Sequence, residues 1–389
     1  MSDSNEKVRI LAPPDALSRI SRRMFLGGAV GAAIGGSALL SACGEEESPE
    51  SGAAPVGEVE DALNMFTWGE YNSPKVIKDF ETENGGLTFT LDSYNSNEAL
   101  IAKLTAAQGT GGYDLIVPTG PFIPALVEGE LIQEMDLDRL TNFGNLEEQY
   151  KDQIWDPGNQ YSICKDWGTT GYAVNRTKYD VDMSTWQDFL DLTMGEASGD
   201  VSILDSPDNV VGLWLWANGY SWMTEDPDQL DQCEAFLLDE FAPHIKAFQS
   251  YPGGGDMQNG NFGLVHAWNG DARLGIIQSD DEWEWVFPGP MTEIWMDTYA
   301  VPVGAPHPNA AYAWMDYLLL PEVSLKELEY IGYHTGVKDI QPMAEEAGLE
   351  RLDIVFFSAE QVATMEAGVL NSAQDRRVEI YDKVKAAAG

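Results

Sequence analysis

The sequence predicts an α/β fold with a mostly parallel sheet, in a chain long enough for two lobes. Short apolar segments alternate with segments whose apolar residues recur at helical spacing, which is typical of parallel strands with helices on both faces. This alternation occurs twice along the 389 residues. Beyond residue 42 roughly 350 residues remain, more than one ordinary core uses, and two lobes suit that length. Hydrophobic residues make up 44% of the chain and aromatic residues 11%, as in globular domains.

The first alternating set lies between residues 62 and 128. One helix start is marked by Ser73 and Pro74, because serine can cap a helix and proline suits its first position. Other boundaries follow from runs of apolar residues between turn residues. The predicted elements are strand 63–68, helix 73–80, strand 87–91, helix 96–104, strand 113–118 and helix 122–128.

The second alternating set extends from residue 168 to residue 320, with no repeat of fixed short period. Its longest predicted element is a helix over residues 230–248. The remaining tail, residues 358–388, is predicted to be a charged helix. The other elements are strand 168–175, helix 185–193, strand 200–204, helix 210–217, strand 264–268, strand 298–303 and helix 308–320.

The N-terminal segment has the pattern of an export signal. Arg22 and Arg23 precede an uncharged run over residues 24–42, and a twin arginine before such a run is a bacterial export address. Small residues then precede Cys43, which resembles a lipobox, where cleavage leaves a lipid-bearing cysteine. We expect a Tat-type lipoprotein signal in residues 1–42, a lipid anchor on Cys43 and a flexible tether over residues 43–60. A membrane-spanning helix is the alternative, although the run is diluted by glycine and alanine.

The net charge of −42 is extreme for this length. It argues against a nucleic-acid partner, because a polyanion would be repelled. Two interpretations remain: adaptation of the surface to high salt, and attraction of cationic ligands. Most of the 64 acidic residues must be solvated surface in either case, since no single pocket uses so many.

The cysteines and histidines indicate no metal site. Apart from Cys43 the chain has Cys164 and Cys233, and whether these two pair stays open from the sequence. The four histidines are scattered, and neither a CxxC nor an HExxH pattern occurs. We therefore expect no metal and no cofactor.

Nine short phrases occur in an order that resembles the spermidine/putrescine-binding proteins of ABC importers. Each phrase is weak alone, but the ordered set covers about residues 63–335. The phrases are FTWGEY at 66–71, VIKDFE at 76–81, YNSNE at 94–98, GYDLIVPT at 112–119, LTNF at 140–143, WGTTGY at 167–172, WNGD at 268–271, IWMD at 294–297 and IGY at 331–333.

The resemblance implies a type II periplasmic-binding-protein fold, with two α/β lobes and a ligand cleft between them. By this resemblance the first lobe comprises residues 61–166 plus 297–335. The second comprises residues 167–296 plus 336–389. The chain would cross between the lobes near residues 167–168 and 296–298.

The resemblance also implies a site for a polyamine, which needs carboxylates for its ammonium groups and aromatic faces for its methylenes. The motif positions that match carry those residue types. Burial in the core is the alternative for Trp68 and Trp295, and a cap or turn role is the alternative for Asp271 and Asp297. The predicted ligand-binding residues are Trp68, Tyr71, Thr119, Trp268, Asp271, Trp295 and Asp297.

Some positions are secondary candidates. Members of the family place two acids three residues apart in the second lobe, and alignment without a gap puts Ser206 and Asn209 there. A shift of one residue would put Asp205 and Asp208 there instead, and the sequence leaves both placements open. Glu70 and Thr335 are the other secondary candidates, and the neighbouring His334 is expected to be solvent-exposed.

We therefore expect an extracytoplasmic, lipid-anchored solute-binding protein that delivers a putrescine- or spermidine-like polyamine to an ABC permease. We expect a monomer, no nucleic acid and no enzyme activity, since neither a nucleophile elbow nor a phosphate-binding glycine loop is present. The alternatives are the same fold with an amino acid, an opine or a sugar as the solute, and a hydrolase that uses a carboxylate pair.

Overall fold

A computed structural model describes residues 57–255, 257–279 and 282–388. The predicted signal, Cys43 and most of the predicted tether lie outside these residues. Ten strands form the described sheet: β1 (Ala62–Trp68), β2 (Thr88–Tyr94), β3 (Leu115–Ile116), β4 (Ser162–Asn175), β5 (Val201–Leu204), β6 (Ile245–Gln249), β7 (Leu264–Trp268), β8 (Trp283–Val286), β9 (Thr292–Ala300) and β10 (Met365–Ala367).

Twelve helices accompany these strands in the described residues. They are α1 (Pro74–Glu83), α2 (Asn97–Ala107), α3 (Ile123–Glu128), α4 (Trp186–Met194), α5 (Pro207–Ala217), α6 (Pro227–Phe236), α7 (Asn269–Gln278), α8 (Pro308–Leu318), α9 (Pro321–Ile331), α10 (Ile340–Glu346), α11 (Ala359–Val362) and α12 (Gln374–Ala387). The predicted start of α1 is confirmed, because Ser73 accepts a hydrogen bond from the Val76 amide and Pro74 is the first helical residue. Among these helices none is long and apolar enough to cross a membrane.

The sheet is mixed, with parallel ends and an antiparallel centre. Its strand order is β2-β1-β3-β9-β4-β7-β5-β6, with β10 beside β9 and β8 beside β4. Pairing is parallel within β2-β1-β3 and within β7-β5-β6, but β9 and β4 run antiparallel to each other and to their other neighbours in that order. The expected mostly parallel sheet is therefore found only at the two ends. Two long strands running in opposite directions through the middle account for the difference.

Strand β4 belongs to both ends of the sheet. Its residues 162–169 pair with β9, and its residues 170–175 pair with β7 and β8. All fourteen of its residues are buried. The change of partner occurs between Thr169 and Thr170, so this long strand physically joins the two ends.

Two large hydrophobic clusters flank this junction. The first core takes its buried residues from 63–167 and 296–337, and the second core from 172–286 and 373–384. Cys164 lies in the first core and Cys233 in the second; both are buried, and no disulfide joins them within the described chain. Burial raises the pKa of both thiols well above its ordinary value.

The predicted long helix over residues 230–248 is wrong in its second half. Helix α6 ends at Phe236, a π-helical turn and a short 3₁₀ segment follow, and residues 245–249 form β6. Pro243 lacks the amide that a continuing helix would use, and it disfavours helical geometry in the residue before it. The β-branched Ile245 and the aromatic Phe248 then fit a sheet position beside β5.

The predicted helix over residues 358–388 is also wrong in part. Only α11 and α12 are helical, and β10 lies between them against β9. Gly368 interrupts the helical pattern just after β10. Its backbone packs so closely on the Trp222 indole that an added Cβ would lie 2.0 Å from that ring. Other strands differ at their ends: β4 begins six residues earlier than predicted, and β9 covers residues 292–300 rather than 298–303.

Candidate functional site

Strand β9 carries Glu293, Trp295 and Asp297 on one face, because alternate residues of a strand point the same way. Trp295 pairs with Gly168 of β4 across the ladder. A Cβ on Gly168 would lie 2.4 Å from the Trp295 ring, so the absence of a side chain lets the indole lie across β4. The face therefore presents an aromatic ring between two carboxylates, at the junction of the two cores.

Four aromatic side chains gather around this face. Trp68, at the end of β1, packs against Tyr94 with ring centroids 4.7 Å apart. Tyr333 lies 4.8 Å from Trp295 in an edge-to-face arrangement and 6.1 Å from Tyr71. Trp68, Tyr71 and Trp295 are each half-buried. The structure thus brings Tyr71 and Trp295 to either side of Tyr333, while Trp68 packs on Tyr94.

A buried ion pair lies beneath Tyr71. The Lys165 ammonium is 2.6 Å from a carboxylate oxygen of Asp166, and both side chains are sealed from solvent. Tyr71 donates its hydroxyl to Asp166, and the Lys165 ammonium lies 3.7 Å from the centre of the Tyr71 ring. Burial, with the charge of Asp166, raises the pKa of Tyr71 well above its ordinary value. The phenol therefore stays protonated and its ring is held in one orientation.

Asp297 is the most enclosed of the predicted carboxylates, with 6% of its surface exposed. Its backbone forms an isolated bridge with Thr119, and Thr119 is held in turn by two hydrogen bonds of 3.0 Å with Asn97. Burial, and then the charge of Asp166, raise the pKa of Asp297, while the Thr119 hydroxyl acts in the opposite direction. Asp297 lies within β9, so the alternative of a cap or turn role does not describe its position.

Asp271 and Trp268 lie where β7 passes into α7. Asp271 occupies the first turn of that helix rather than a loop. An added Cβ at Gly270 would lie 2.4 Å from the Tyr333 ring, so Tyr333 packs directly on the start of α7. Burial raises the pKa of Asp271 to about 7, the Tyr333 hydroxyl lowers it and the charge of Glu70 raises it. Trp268 is half-buried, and its backbone pairs with Thr170 of β4.

The secondary candidates divide into two groups. Asn209 is buried and donates a 2.7 Å hydrogen bond to Glu293, so it adjoins the face of β9. Asp205 instead accepts from Tyr381 and Lys385, and Asp208 accepts from Arg377 at 3.0 Å. Ser206 is the N-cap residue of α5, with no side-chain cap hydrogen bond. The two acids are thus held by α12, while Asn209 adjoins the candidate site.

Of the remaining candidates, Glu70 is exposed and has a left-handed backbone with φ of 55°. Thr335 is buried and accepts a 2.6 Å hydrogen bond from Ser324, which anchors it on α9. The expectation that His334 is solvent-exposed is wrong. His334 is buried, accepts a 2.8 Å hydrogen bond from the Gly336 amide, and has its pKa lowered to about 3 by burial.

Sequence reasoning missed Glu293, Glu327 and the pair Lys165–Asp166. A usable signal existed for the pair, because adjacent charged residues within an otherwise apolar strand are rarely buried unless they are paired. Glu293 stands two residues before Trp295, so alternation along β9 would also have placed it on the same face. Glu327 is buried on α9, accepts hydrogen bonds from Asn72 and Ser73, and gave no comparable pattern.

A hydrogen bond at the edge of the site connects the two halves. The Gly69 amide, next to Trp68, donates to the Tyr251 hydroxyl at 3.2 Å. Tyr251 follows β6 of the second half, whereas Gly69 follows β1 of the first. The site therefore has residues of both halves in contact at its edge.

Comparison with known proteins defines the class. The chain matches the family model described as "Bacterial extracellular solute-binding protein" over residues 75–350, and it belongs to that family. Members of this family bind solutes and are not enzymes, so the expectation of no enzyme activity is confirmed, as is the two-lobed α/β fold.

Two relatives match the chain over most of its length. A putrescine/agmatine-binding protein of Pseudomonas aeruginosa is 30% identical over 323 residues, which cover 78% of this chain and 86% of that protein. The spermidine/putrescine-binding periplasmic protein of Escherichia coli is 32% identical over 273 residues, or 70% of this chain and 77% of that protein. These relatives confirm the resemblance that the sequence phrases indicated.

A solved structure has the same fold. The spermidine/putrescine ABC transporter substrate-binding protein of Streptococcus pneumoniae superposes with a TM-score of 0.71 at 25% identity, covering 84% of this chain and 99% of that one.

Proposed function

We propose that this protein binds a linear polyamine in the cleft between its lobes. The observation that carries the proposal is a group of three carboxylates, the buried Glu293 and Asp297 and the half-buried Asp271, beside the rings of Trp295 and Tyr333. Carboxylates bind ammonium groups through charge-assisted hydrogen bonds, and aromatic faces attract cations and cover methylenes. The names of the relatives in Pseudomonas aeruginosa and Escherichia coli support the same ligand class.

Solutes that carry a carboxylate fit this site less well. An amino acid or an opine would need a cation for its carboxylate, and the nearby Lys165 is already paired with Asp166 inside the protein. A second carboxylate beside Asp297 or Glu293 would be repelled. The site chemistry therefore favours a ligand with positive groups and no negative group.

The lobe boundaries proposed from the sequence are residues 61–166 plus 297–335 for the first lobe and 167–296 plus 336–389 for the second. The two hydrophobic cores support this division for most of the chain, but Trp167, Met296 and Val337 lie in the first core rather than the second. A ligand that contacts Trp68 of the first lobe and Trp268 of the second favours the closed form, because only that form offers both contacts. The closed form is then the one that an ABC permease receives.

A panel of ligands tests the proposal. We expect putrescine, spermidine and agmatine to raise the melting temperature at millimolar concentration, because a ligand that binds only the folded state stabilises it. Glutamate, glucose and an opine serve as comparison ligands. A shift with one of these and none with any polyamine would reject the proposal.

We further propose that the mature protein works outside the cytoplasm, as a monomer attached to a membrane through lipid on Cys43. Arg22, Arg23 and the small residues before Cys43 support this proposal. A lipid chain adds membrane affinity in proportion to its buried methylenes.

Replacing Cys43 tests the anchor. Cys43→Ala should remove the lipid and release the protein from the membrane fraction, whereas Cys164→Ala, which leaves the lipobox intact, should not. Fractionation with immunoblotting measures the distribution. Membrane retention of the Cys43→Ala protein equal to wild type would contradict the lipid anchor.

A further inference from the structure

Glu293 is a buried carboxylate without a cationic partner. It is 6% exposed, and it forms no ion pair with any residue that the structure describes. Burial raises the pKa of Glu293 to about 7, the hydrogen bonds from Thr170 and Asn209 lower it, and the like charge of Asp208 raises it. An unpaired buried carboxylate is costly unless some other group supplies positive charge.

The surroundings of Glu293 hold one carboxylate oxygen and leave the other open. Asn209 donates to Oε1 at 2.7 Å, and the Thr170 hydroxyl donates to the same oxygen. Oε2 accepts no hydrogen bond from the described residues. Two neutral donors therefore fix the orientation of the side chain without neutralising its charge, and the second oxygen remains available to a ligand.

The position of Glu293 places it at the far end of the aromatic face from Asp297. Alternate residues of β9 share that face, with Trp295 in the middle. Four residues along a strand separate the two backbone positions by about 13 Å. Thr170, which donates a hydrogen bond to Glu293, also pairs with Trp268 across the sheet. Trp268, another predicted ligand-binding residue, therefore lies beside this end of the face.

We propose that Glu293 is the second anionic subsite of the cleft and binds the distal ammonium of an extended linear amine whose proximal ammonium contacts Asp297. This inference rests on the proposed function and deepens it. Asp205 and Asp208 form hydrogen bonds with residues of α12, so we do not assign either of them to the second ammonium group. Asn209 positions Glu293 by its hydrogen bond and has no direct charge contact with the ligand.

The spacing favours a long amine over a short one. With bonds of about 1.5 Å, the terminal nitrogens of extended spermidine are about 11 Å apart and those of putrescine about 6 Å apart. Each ammonium–carboxylate contact adds up to about 3 Å. Spermidine with its two contacts therefore covers the spacing of about 13 Å, whereas putrescine reaches about 12 Å even with both contacts in line and falls short of it.

Removing the charge of Glu293 tests the assignment. Glu293→Gln keeps an oxygen for Asn209 and Thr170. We expect spermidine affinity to fall by at least about tenfold, as a charge-assisted hydrogen bond is lost, and putrescine affinity to fall by no more than about threefold. Titration calorimetry on the full mature protein gives both values. Glu360→Gln, which removes an exposed charge from α11, is the matched control and should change neither affinity.

If the Glu293→Gln substitution perturbs folding, a more conservative variant still tests the assignment. Glu293→Asp retains the charge and shortens the side chain, so it should bind spermidine more tightly than Glu293→Gln. Wild-type spermidine affinity in Glu293→Gln, or equal losses for both ligands, would overturn the assignment. Failure of the wild-type protein to bind either amine would instead reject the proposed function, and the two failures are distinguishable in one experiment.

Discussion

Replacing Asp297 with asparagine is expected to weaken binding of putrescine and spermidine alike by about 100-fold. Asp297 is buried at the junction of both cores, and salt screens buried charges much less than exposed ones. Losing one partner of a buried, hydrogen-bonded charge pair costs about 2–5 kcal/mol, and the middle of that range corresponds to about 100-fold or more. Because either ligand must place one ammonium at Asp297, the loss should not depend on ligand length.

A control for Asp297→Asn is available in the second half of the chain. Asp208→Asn removes an aspartate charge of the same kind, but Asp208 pairs with Arg377 of α12. We expect that variant to melt at a lower temperature and to keep its putrescine affinity within about threefold, because the charge of Asp208 acts on Glu293 and is not among those that shift the pKa of Asp297. Calorimetric titration and an unliganded melt measure the two quantities. Loss of affinity in Asp208→Asn with normal affinity in Asp297→Asn would reverse the assignment of the site.

Polyamine affinity is expected to rise steeply with pH between 5.5 and 8.0. The pKa values of Asp271 and Glu293 are raised to about 7, chiefly by burial, and burial also raises that of Asp297. At pH 5.5 these carboxyls are mostly neutral in the free protein, and an ammonium must displace a proton to bind. The ligand itself stays charged, since alkylammonium groups resemble lysine, which has a pKa of about 10.

The size of this effect follows from proton linkage. A single carboxyl with a pKa of about 7 makes the affinity about 30-fold higher at pH 8.0 than at pH 5.5, and each further coupled carboxyl multiplies the ratio. Titrations at constant ionic strength, in two buffers of different ionisation enthalpy, give both the affinity and the number of protons released. Glu293→Gln should release fewer protons than wild type. A flat affinity across this range would contradict the assignment of these carboxyls to the ligand.

Part of the candidate site was predictable from local pattern, because Trp68 and Trp268 stand at the ends of the predicted strands that became β1 and β7. Trp295 and Asp297 fall outside the predicted strand 298–303, so only the family resemblance made them candidates. Glu293 was missed as a candidate because the predicted strand began at residue 298, and the alternation of faces cannot be applied to a residue outside the predicted strand.

The rest of the fold was not predictable from local pattern. The antiparallel centre of the sheet depends on β4 and β9 meeting across more than a hundred residues of chain. The helical pattern over residues 230–248 concealed the strand β6, because pairing with β5 outweighs the local helical preference there. The buried pair Lys165–Asp166 is likewise a long-range feature, because its orientation depends on Tyr71.

The two cysteine side chains have a consequence for redox chemistry. Thiols oxidise through the thiolate, and burial keeps Cys164 and Cys233 in the thiol form. Because each is buried in a different core, the two thiols do not meet while the protein is folded. These two cysteines can therefore stay reduced in an oxidising compartment, and the cores of the described residues are stabilised without a disulfide between them.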